Sequence, residues 1–387
     1  MAPREDKAFE RALPMGHVAG TARRAPSTRA GDGISLSAAT LDELLAAAEA
    51  ATGSAAEPRA GTSFSSAYAL GEGWRLFTAV LPDELGVPQA RGVVLPRWTR
   101  EMLDGREDLV PGGTFYRDHQ YLLYRCALAY LRDVPLALHG HTGLGKTEAV
   151  RCFAALLGAP LYRMNLHGLS TTDDVVGKLL PVGHGKVDFQ DGLVTTAVRH
   201  GGILLLEEMN ATGQEVWFAL HGLLDGSRAL VLVEKDNEVV RQHPDCRLFS
   251  TFNPAEYSSL YPGTKELSAA YLRRWVSVRV EFPDTDAERR ILLERFPDYR
   301  AEPLRTTLET MLDVSRMARR LLLDRARAFD FVLSTGLLVT WAQFSRDVGP
   351  VEGARMAFYD ILDRRTKSIF RDQISAYVTD WDTESLD

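Results

Sequence analysis

The sequence predicts an α/β domain built on a parallel sheet, followed by an all-helical domain and preceded by an N-terminal extension. Three observations predict it. Short apolar runs alternate with helical stretches between about 115 and 283, a glycine-rich loop joins one of these runs to a helix, and after Pro283 the helical period continues almost to the end. Buried strands that alternate with helices are the signature of parallel strands joined by crossover helices.

The apolar runs are PLALH (135–139), LYRMN (161–165), GILLLE (202–207), RLFSTF (247–252) and VSVRVEF (276–282). HQYLLYRCALAYLR (119–132) precedes the first of them with apolar residues at helical spacing. Beyond Pro283, AERRILLERF, LETMLDVSRMARRLLL, FDFVLSTGLLVTWAQF and VEGARMAFYDILDRRTKSIF all read as helix. Toward the N-terminus, residues 1–35 are rich in Ala, Arg, Gly, Ser and Pro without a sustained period, which predicts a flexible arm. TLDELLAAAEAAT (40–52) predicts a short helix and 53–62 a linker. Tyr68, Trp74, Phe77 and Trp98 indicate that something packs between 63 and 111, without defining a fold. The expected organisation is therefore an arm and linker over 1–62, a segment of unassigned fold over 63–112, the α/β domain over 113–283 and the helical domain over 284–387.

Bulk composition narrows the function. The 387 residues are 45% apolar and 25% charged, the balance of a globular protein that builds a core without staples. A net charge of −7 argues against a dedicated nucleic-acid binder, which needs a basic surface. Cys126, Cys152 and Cys246 are far apart and form no CxxC pair, which argues against structural zinc or a disulfide framework and suits a reducing compartment. No apolar run approaches the ~20 residues of a membrane span, and the N-terminus lacks an apolar signal region. A cytoplasmic protein with no membrane partner is expected.

Gly140-His141-Thr142-Gly143-Leu144-Gly145-Lys146-Thr147 matches G-x-x-x-x-G-K-[ST] and stands between a predicted strand and the predicted helix TEAVRCFAALLG. Glycines let such a loop curl until its N–H groups point at phosphate oxygens, and the helix N-terminus adds its positive end. Lys146 is positioned in the motif to reach β- and γ-phosphates, and the Thr147 hydroxyl to ligate Mg²⁺. About sixty residues on, ILLLEE places Glu207 and Glu208 at the carboxyl end of a buried strand, where α/β sheets bind ligands. An isolated LLLEE is more often a strand end running into a solvated helix. Paired with the phosphate loop, Glu207 becomes the candidate magnesium ligand and Glu208 the residue that orients attacking water. Asn253, after the run FSTF, is either a turn device before proline or an amide that holds that water or the γ-phosphate. Arg273 and Arg274, between the helical KELSAAYL and the run VSVRVEF, are candidates for an arginine that reaches a neighbouring subunit's γ-phosphate, with Arg274 preferred.

These residues resemble the AAA+ superfamily of P-loop ATPases, in its MoxR-like and dynein-related branch. The matching stretches are HGHTGLGKT, RMNLHGLSTTDDVVGK, FQDGLVTTAVRHGGILLLEEMNAT, HGLLDGSRALVLVEKDNEVVRQHPDCRLFSTFNP and LYPGTKELSAAYLRRW. They cover about 140–280 in order, and the helical lid more loosely; the first 110 residues have no counterpart. The similarity extends to the small ATPase subunit of aerobic cobaltochelatase and to activators of Rubisco and nitric oxide reductase. It implies a parallel-sheet AAA+ core with a helical lid, ATP and Mg²⁺ as cofactors, and assembly into a ring, usually a hexamer. It further implies action as a chaperone on a protein client, in several relatives alongside a von Willebrand A domain protein. LLPVGHGKVDF (179–189) and ALVLVEKDNEVV (229–240) read as hairpins, which the resemblance places at the pore or against a partner. Two departures from the family stand out. Glu207 replaces the usual Asp, and Ser334-Thr335-Gly336 replaces an STR whose arginine contacts nucleotide, leaving Arg316, Arg319 or Arg320 as substitutes. They keep open a slow, nucleotide-gated structural ring, and the branch also contains restriction GTPases, motors of nucleic-acid processing.

Overall fold

The computed structural model describes residues 33–36, 41, 67–70, 73–82, 86–113, 116–255, 263–323 and 329–375. Residues 33–35 of the expected arm are described, and Ile34–Leu36 forms a short strand there rather than flexible chain; the rest of the arm, the linker and all but Leu41 of the expected 40–52 helix lie outside the described residues. The chain divides into two compact units: 1–139, 147–252 and 265–278 form one, and 140–146, 253–264 and 279–387 form the other.

The first unit is built on a five-stranded sheet in the order β13-β5-β12-β9-β6. Its strands are β5 (Leu136–His139), β6 (Leu161–Asn165), β9 (Gly202–Glu207), β12 (Cys246–Phe252) and β13 (Val276–Arg279). Strand β12 runs parallel to both β5 and β9, and β9 parallel to β6. Every residue of β12 is buried, as is β9 up to Leu206, because helices cover both faces of a parallel sheet. The covering helices include α1 (Leu122–Arg132), α2 (Lys146–Leu157), α3 (Leu193–His200) and α4 (Gln214–Leu224). Val194 and Val198 of α3 and Trp217 and Leu220 of α4 share one core with Leu204, Leu206 and Leu248 of the sheet. Helix α1 begins at Leu122 rather than 119 because the buried Asp118 carboxylate accepts the N–H groups of Gln120, Leu122 and Leu123. That occupies orphan donors of the first turn.

The stretch over 63–111 holds an antiparallel sheet, which its aromatics alone did not reveal. Strands β3 (Trp74–Pro82) and β4 (Pro88–Pro96) pair along nine positions, from Trp74 opposite Pro96 to Pro82 opposite Pro88. Short strands β1 (Ile34–Leu36) and β2 (Ala67–Leu70) flank them in the order β1-β4-β3-β2. Alternation along β3 sends Leu76 to one face, into a small cluster with Leu36, Leu41 and Val94, and Phe77 to the other. Phe77 meets Phe153 of α2 at 5.3 Å between ring centroids, and Phe153 meets Phe249 of β12 at 5.9 Å. One aromatic seam therefore fastens the small sheet to the large one. Trp98 extends it, donating its indole N–H to Tyr130 Oη at 3.0 Å.

Two hairpins project from this unit. β7 (Gly177–Gly183) and β8 (Lys186–Asp191) are joined by His184-Gly185, both at positive φ, the geometry of a two-residue turn that follows strand twist. β10 (Ala229–Leu232) and β11 (Glu238–Arg241) turn through Asp236 and Asn237, also at positive φ. Helix KELSAAYL shrinks to α5 (Ala269–Leu272), whose N-cap is Ser268.

Helices α6 (Thr285–Arg295), α7 (Leu304–Leu323), α8 (Thr335–Val348), α9 (Pro350–Ala357) and α10 (Arg364–Ser375) make the bulk of the second unit. They pack around Trp341, Tyr299, Tyr359, Phe358 and Phe370. Two expectations fail here. Residues 329–334 are not helical: Ser334 caps α8 by accepting the Leu337 N–H, and Phe329 and Leu333 fill the core as irregular chain. The helix expected from 351 to 370 breaks after Ala357 and restarts at Arg364, where the Asp363 side chain accepts the Arg365 and Thr366 N–H groups. A cap side chain competes locally with helix continuation, and the apolar period conceals it. VSVRVEF likewise stops pairing at Arg279.

Phe153→Ala opens a cavity at the centre of the seam and is expected to destabilise the protein by about 3–5 kcal/mol. Denaturant unfolding followed by tryptophan fluorescence measures it.

Candidate functional site

In the second unit, the loop glycines are required by close approach. A Cβ on Gly140 would sit 2.3 Å from the Val280 carbonyl oxygen, and Gly143, at φ +72°, would drive one to 2.2 Å from Ser334 Oγ. Lys146 is buried, and its ammonium donates to Gly140 O at 2.8 Å, His141 O at 2.7 Å and Asn253 Oδ1 at 3.0 Å. Lysine and the amide predicted from FSTFNP are thus in direct contact. His141 stacks on Phe282 at 5.5 Å, Leu144 is buried, Gly145 takes φ +82°, and Thr142 is exposed.

In the first unit, Thr147 Oγ1 donates to Glu207 Oε2 at 2.8 Å. The other oxygen of Glu207 receives Arg163 Nε and Nη2, each at 2.8 Å. Strand pairing explains the arrangement: Asn165 of β6 stands opposite Glu207, so Arg163, two residues earlier, lies on the same face. Sequence reading missed Arg163, although a charge inside a strand of a buried sheet was the available signal. Glu208 follows directly at φ 51°, ψ 43°, a left-handed conformation that a non-glycine residue rarely adopts. Such strain persists where surrounding structure imposes it, and it collects at functional positions.

The lid region supplies a buried ion pair. Arg319 donates through both terminal nitrogens to Glu288, at 2.8 and 2.6 Å, and through Nε to Leu333 O at 3.1 Å. Its guanidinium lies 4.5 Å from the centre of the Phe282 ring, and Thr335 Oγ1 donates to Glu288 at 2.7 Å. Arg319 is therefore already committed, and Arg316 pairs with Asp313 on the exposed face of α7. Arg320 is exposed on the same helix. Gly336 sits in the first turn of α8, its N–H 3.4 Å from Gly143 O. A Cβ there would meet only Ser334 Oγ at 3.7 Å and Gly143 O at 3.8 Å, so the position admits a side chain.

Arg274, the preferred finger candidate, turns back to donate to Ala270 O of its own helix, whereas Arg273 is exposed. Arg199 of α3, also missed, joins the two hairpins: it contacts Asp191 at the base of β7–β8 and Glu238 at the turn end of β10–β11, both at 2.6 Å. That arginine and Lys235 hold the Glu238 carboxyl down at about 2. On β7–β8, Leu179 opposes Phe189 and Pro181 opposes Val187, giving one apolar face on which Leu179 and Val187 are exposed. Val231 and Val239 are likewise opposed and exposed on β10–β11. Among the described residues, no His/Cys/Asp/Glu group of three or more could hold a metal and no helix is long and apolar enough to cross a membrane.

A glycine-rich loop with a buried lysine following β5, and an acidic pair ending β9 with its first member bonded to the loop's threonine, define a P-loop nucleoside triphosphatase. Residues 135–275 match the family model of the AAA domain, dynein-related subfamily. The chain is 31% identical over 253 residues to the denitrification regulatory protein NirQ of Pseudomonas aeruginosa, covering 65% of itself and 92% of NirQ. It is 27% identical over 270 residues to the aerobic cobaltochelatase subunit CobS of a Sinorhizobium species, covering 68% of itself and 80% of CobS. It is also 37% identical over 164 residues to Midasin of Dictyostelium discoideum, 42% of this chain but only 3% of that protein's length. The chain belongs to the MoxR-like, dynein-related family of AAA+ ATPases; it binds and hydrolyses ATP.

Glu288→Ala leaves the Arg319 guanidinium buried without its partner, a change of about 3–5 kcal/mol. Thermal unfolding should show the loss, and Glu288→Gln, which keeps an acceptor for Thr335, should recover part of it.

Proposed function

We propose that the chain is a ring-forming, hexameric ATPase that uses ATP cycles to remodel or mature a partner protein complex. The observation that carries this is coverage: the alignment spans nearly all of NirQ and four-fifths of CobS, rather than the nucleotide domain alone. CobS is named as a cobaltochelatase subunit, so assistance to metal insertion is the form of maturation the reading favours, with a von Willebrand A domain protein as the working partner. The exposed apolar faces of the two hairpins, tied to each other by Arg199, are suited to gripping such a client. Net charge −7 disfavours a nucleic-acid motor.

In this reading the N–H groups of 140–147 cradle the phosphates and Lys146 reaches the β- and γ-phosphates, exchanging a carbonyl acceptor for phosphate oxygen. Thr147 Oγ1 and Glu207 Oε2, 2.8 Å apart, are the hard oxygen pair that suits Mg²⁺. Bound between those two oxygens, the ion would supply positive charge against the charge that develops on the phosphates. Glu208 orients and polarises the attacking water, and Asn253 Oδ1 holds either that water or the lysine that faces the γ-phosphate. Arg273 or Arg274 completes a neighbour's site across the ring; Arg273 is already free to extend, and Arg274 must first leave the Ala270 carbonyl. Gly336 gives the lid no arginine and Arg319 is held by Glu288, an arrangement that favours slow turnover.

Glu208→Gln should bind ATP and stall before hydrolysis, so affinity capture with it, against Lys146→Ala, should retain a client protein only in the ATP-loaded form. A von Willebrand A protein or metalloenzyme subunit is the expected capture. Co-purified nucleic acid or a nuclease would replace this reading with a motor, and a bare ring would replace it with a structural role.

A further inference from the structure

We propose that Arg163 is the positioning residue that makes Glu207 serviceable as a metal ligand, compensating for the extra methylene of a glutamate at this place. The inference rests on the reading of Thr147 and Glu207 as the magnesium site. It assigns a role to a strand residue outside the nucleotide motifs.

The two oxygens of Glu207 are divided between different partners. Oε1 takes both Nε and Nη2 of Arg163 at 2.8 Å, while Oε2 faces Thr147 Oγ1 at 2.8 Å. A glutamate has one more rotatable bond than an aspartate, and holding one oxygen removes the rotamers in which the other swings away from the threonine. The planar guanidinium does this with two donors at fixed spacing, whereas a lysine ammonium is a point charge on a flexible stem. The Arg163 side chain is 45% exposed, so simple charge attraction contributes little in this solvated setting. Orientation is the part that survives. The arginine also approaches the carboxylate on the Oε1 side, leaving Oε2 as the oxygen open to a cation beside Thr147.

Orientation and charge predict opposite outcomes. If Arg163 acted by its charge, removing it would leave Glu207 more anionic in effect and tighten a divalent ion. If it acts by orientation, removing it loosens the ion. The probe is Mn²⁺, whose free concentration is read by electron paramagnetic resonance in the presence of a non-hydrolysable ATP analogue and full-length protein. Arg163→Ala should weaken Mn²⁺ binding about tenfold and leave metal-free binding of the analogue unchanged. Arg163→Lys, which keeps the charge and loses the fork, should lie closer to Ala than to wild type. Glu207→Asp should weaken the ion in wild type but cost little further in the Arg163→Ala background, because the shorter acid cannot use the clamp. Unchanged or tighter Mn²⁺ binding in Arg163→Ala overturns the proposal, as does wild-type behaviour of Arg163→Lys. Glu207→Gln separates the two levels: if it leaves Mn²⁺ affinity intact, the magnesium-site reading itself fails. If it weakens Mn²⁺ and Arg163→Ala does not, only the clamp fails.

Discussion

A buried ammonium organises the phosphate loop. Removing a lysine charge from water costs several kcal/mol unless hydrogen bonds replace the lost hydration. Lys146 finds that replacement in Gly140 O, His141 O and Asn253 Oδ1. Two of the three acceptors are loop carbonyls that must turn inward, and the chain turns that tightly because Gly140 and Gly143 have no Cβ where Val280 O and Ser334 Oγ stand. The third acceptor makes Asn253 part of the lysine's coordination rather than only a turn before proline. The same interaction therefore accounts for the glycines and the amide, and for the position where the lysine waits for phosphate.

Around the loop, the second unit joins neighbouring residues through shared partners. His141 stacks on Phe282, whose ring lies beneath Arg319; Arg319 is held by Glu288, and Glu288 also accepts from Thr335. Thr335 begins α8, whose cap Ser334 fills the space over Gly143. Position 336 is a glycine, so it presents no arginine to the loop. Contact with the loop there is made by backbone, at Gly336 N–H. The first unit solves a parallel problem with Arg163, which restrains the longer acid at Glu207. Each departure from the usual family residues thus has its own local contacts: Arg163 on Glu207, and the Gly336 N–H toward Gly143 O.

Much of this was legible in the sequence, for identifiable reasons. Strands β6 and β9 coincide with LYRMN and GILLLE because short, largely apolar runs between helical stretches have few other solutions in an α/β chain. The phosphate loop was readable because its chemistry needs fixed residues at fixed spacing. Long-range partners were not. Arg163 and Glu207 are 44 residues apart, and Arg319 and Glu288 are 31 apart. Only strand order and helix packing bring them together. The β3–β4 sheet escaped because Arg75, Arg91 and Gly92 interrupt its apolar alternation, and its packing partner Phe153 lies in another element. Helix limits in the lid moved where Ser334 and Asp363 act as caps, a local competition that an apolar period does not report.

The proposed function requires that Lys146, Thr147, Glu207, Glu208 and Asn253 act together in hydrolysis and that an arginine of a second copy complete them. Steady-state ATPase rate measured against protein concentration, for wild type, Glu208→Gln, Arg273→Ala and Arg274→Ala, tests it most directly. The account predicts a magnesium-dependent specific activity that rises with concentration, falls at least a hundredfold in Glu208→Gln, and is lost in one of the two arginine variants with ATP binding retained. A rate per chain independent of concentration and indifferent to both arginines would contradict completion by a neighbour, and full activity in Glu208→Gln would contradict the catalytic set itself.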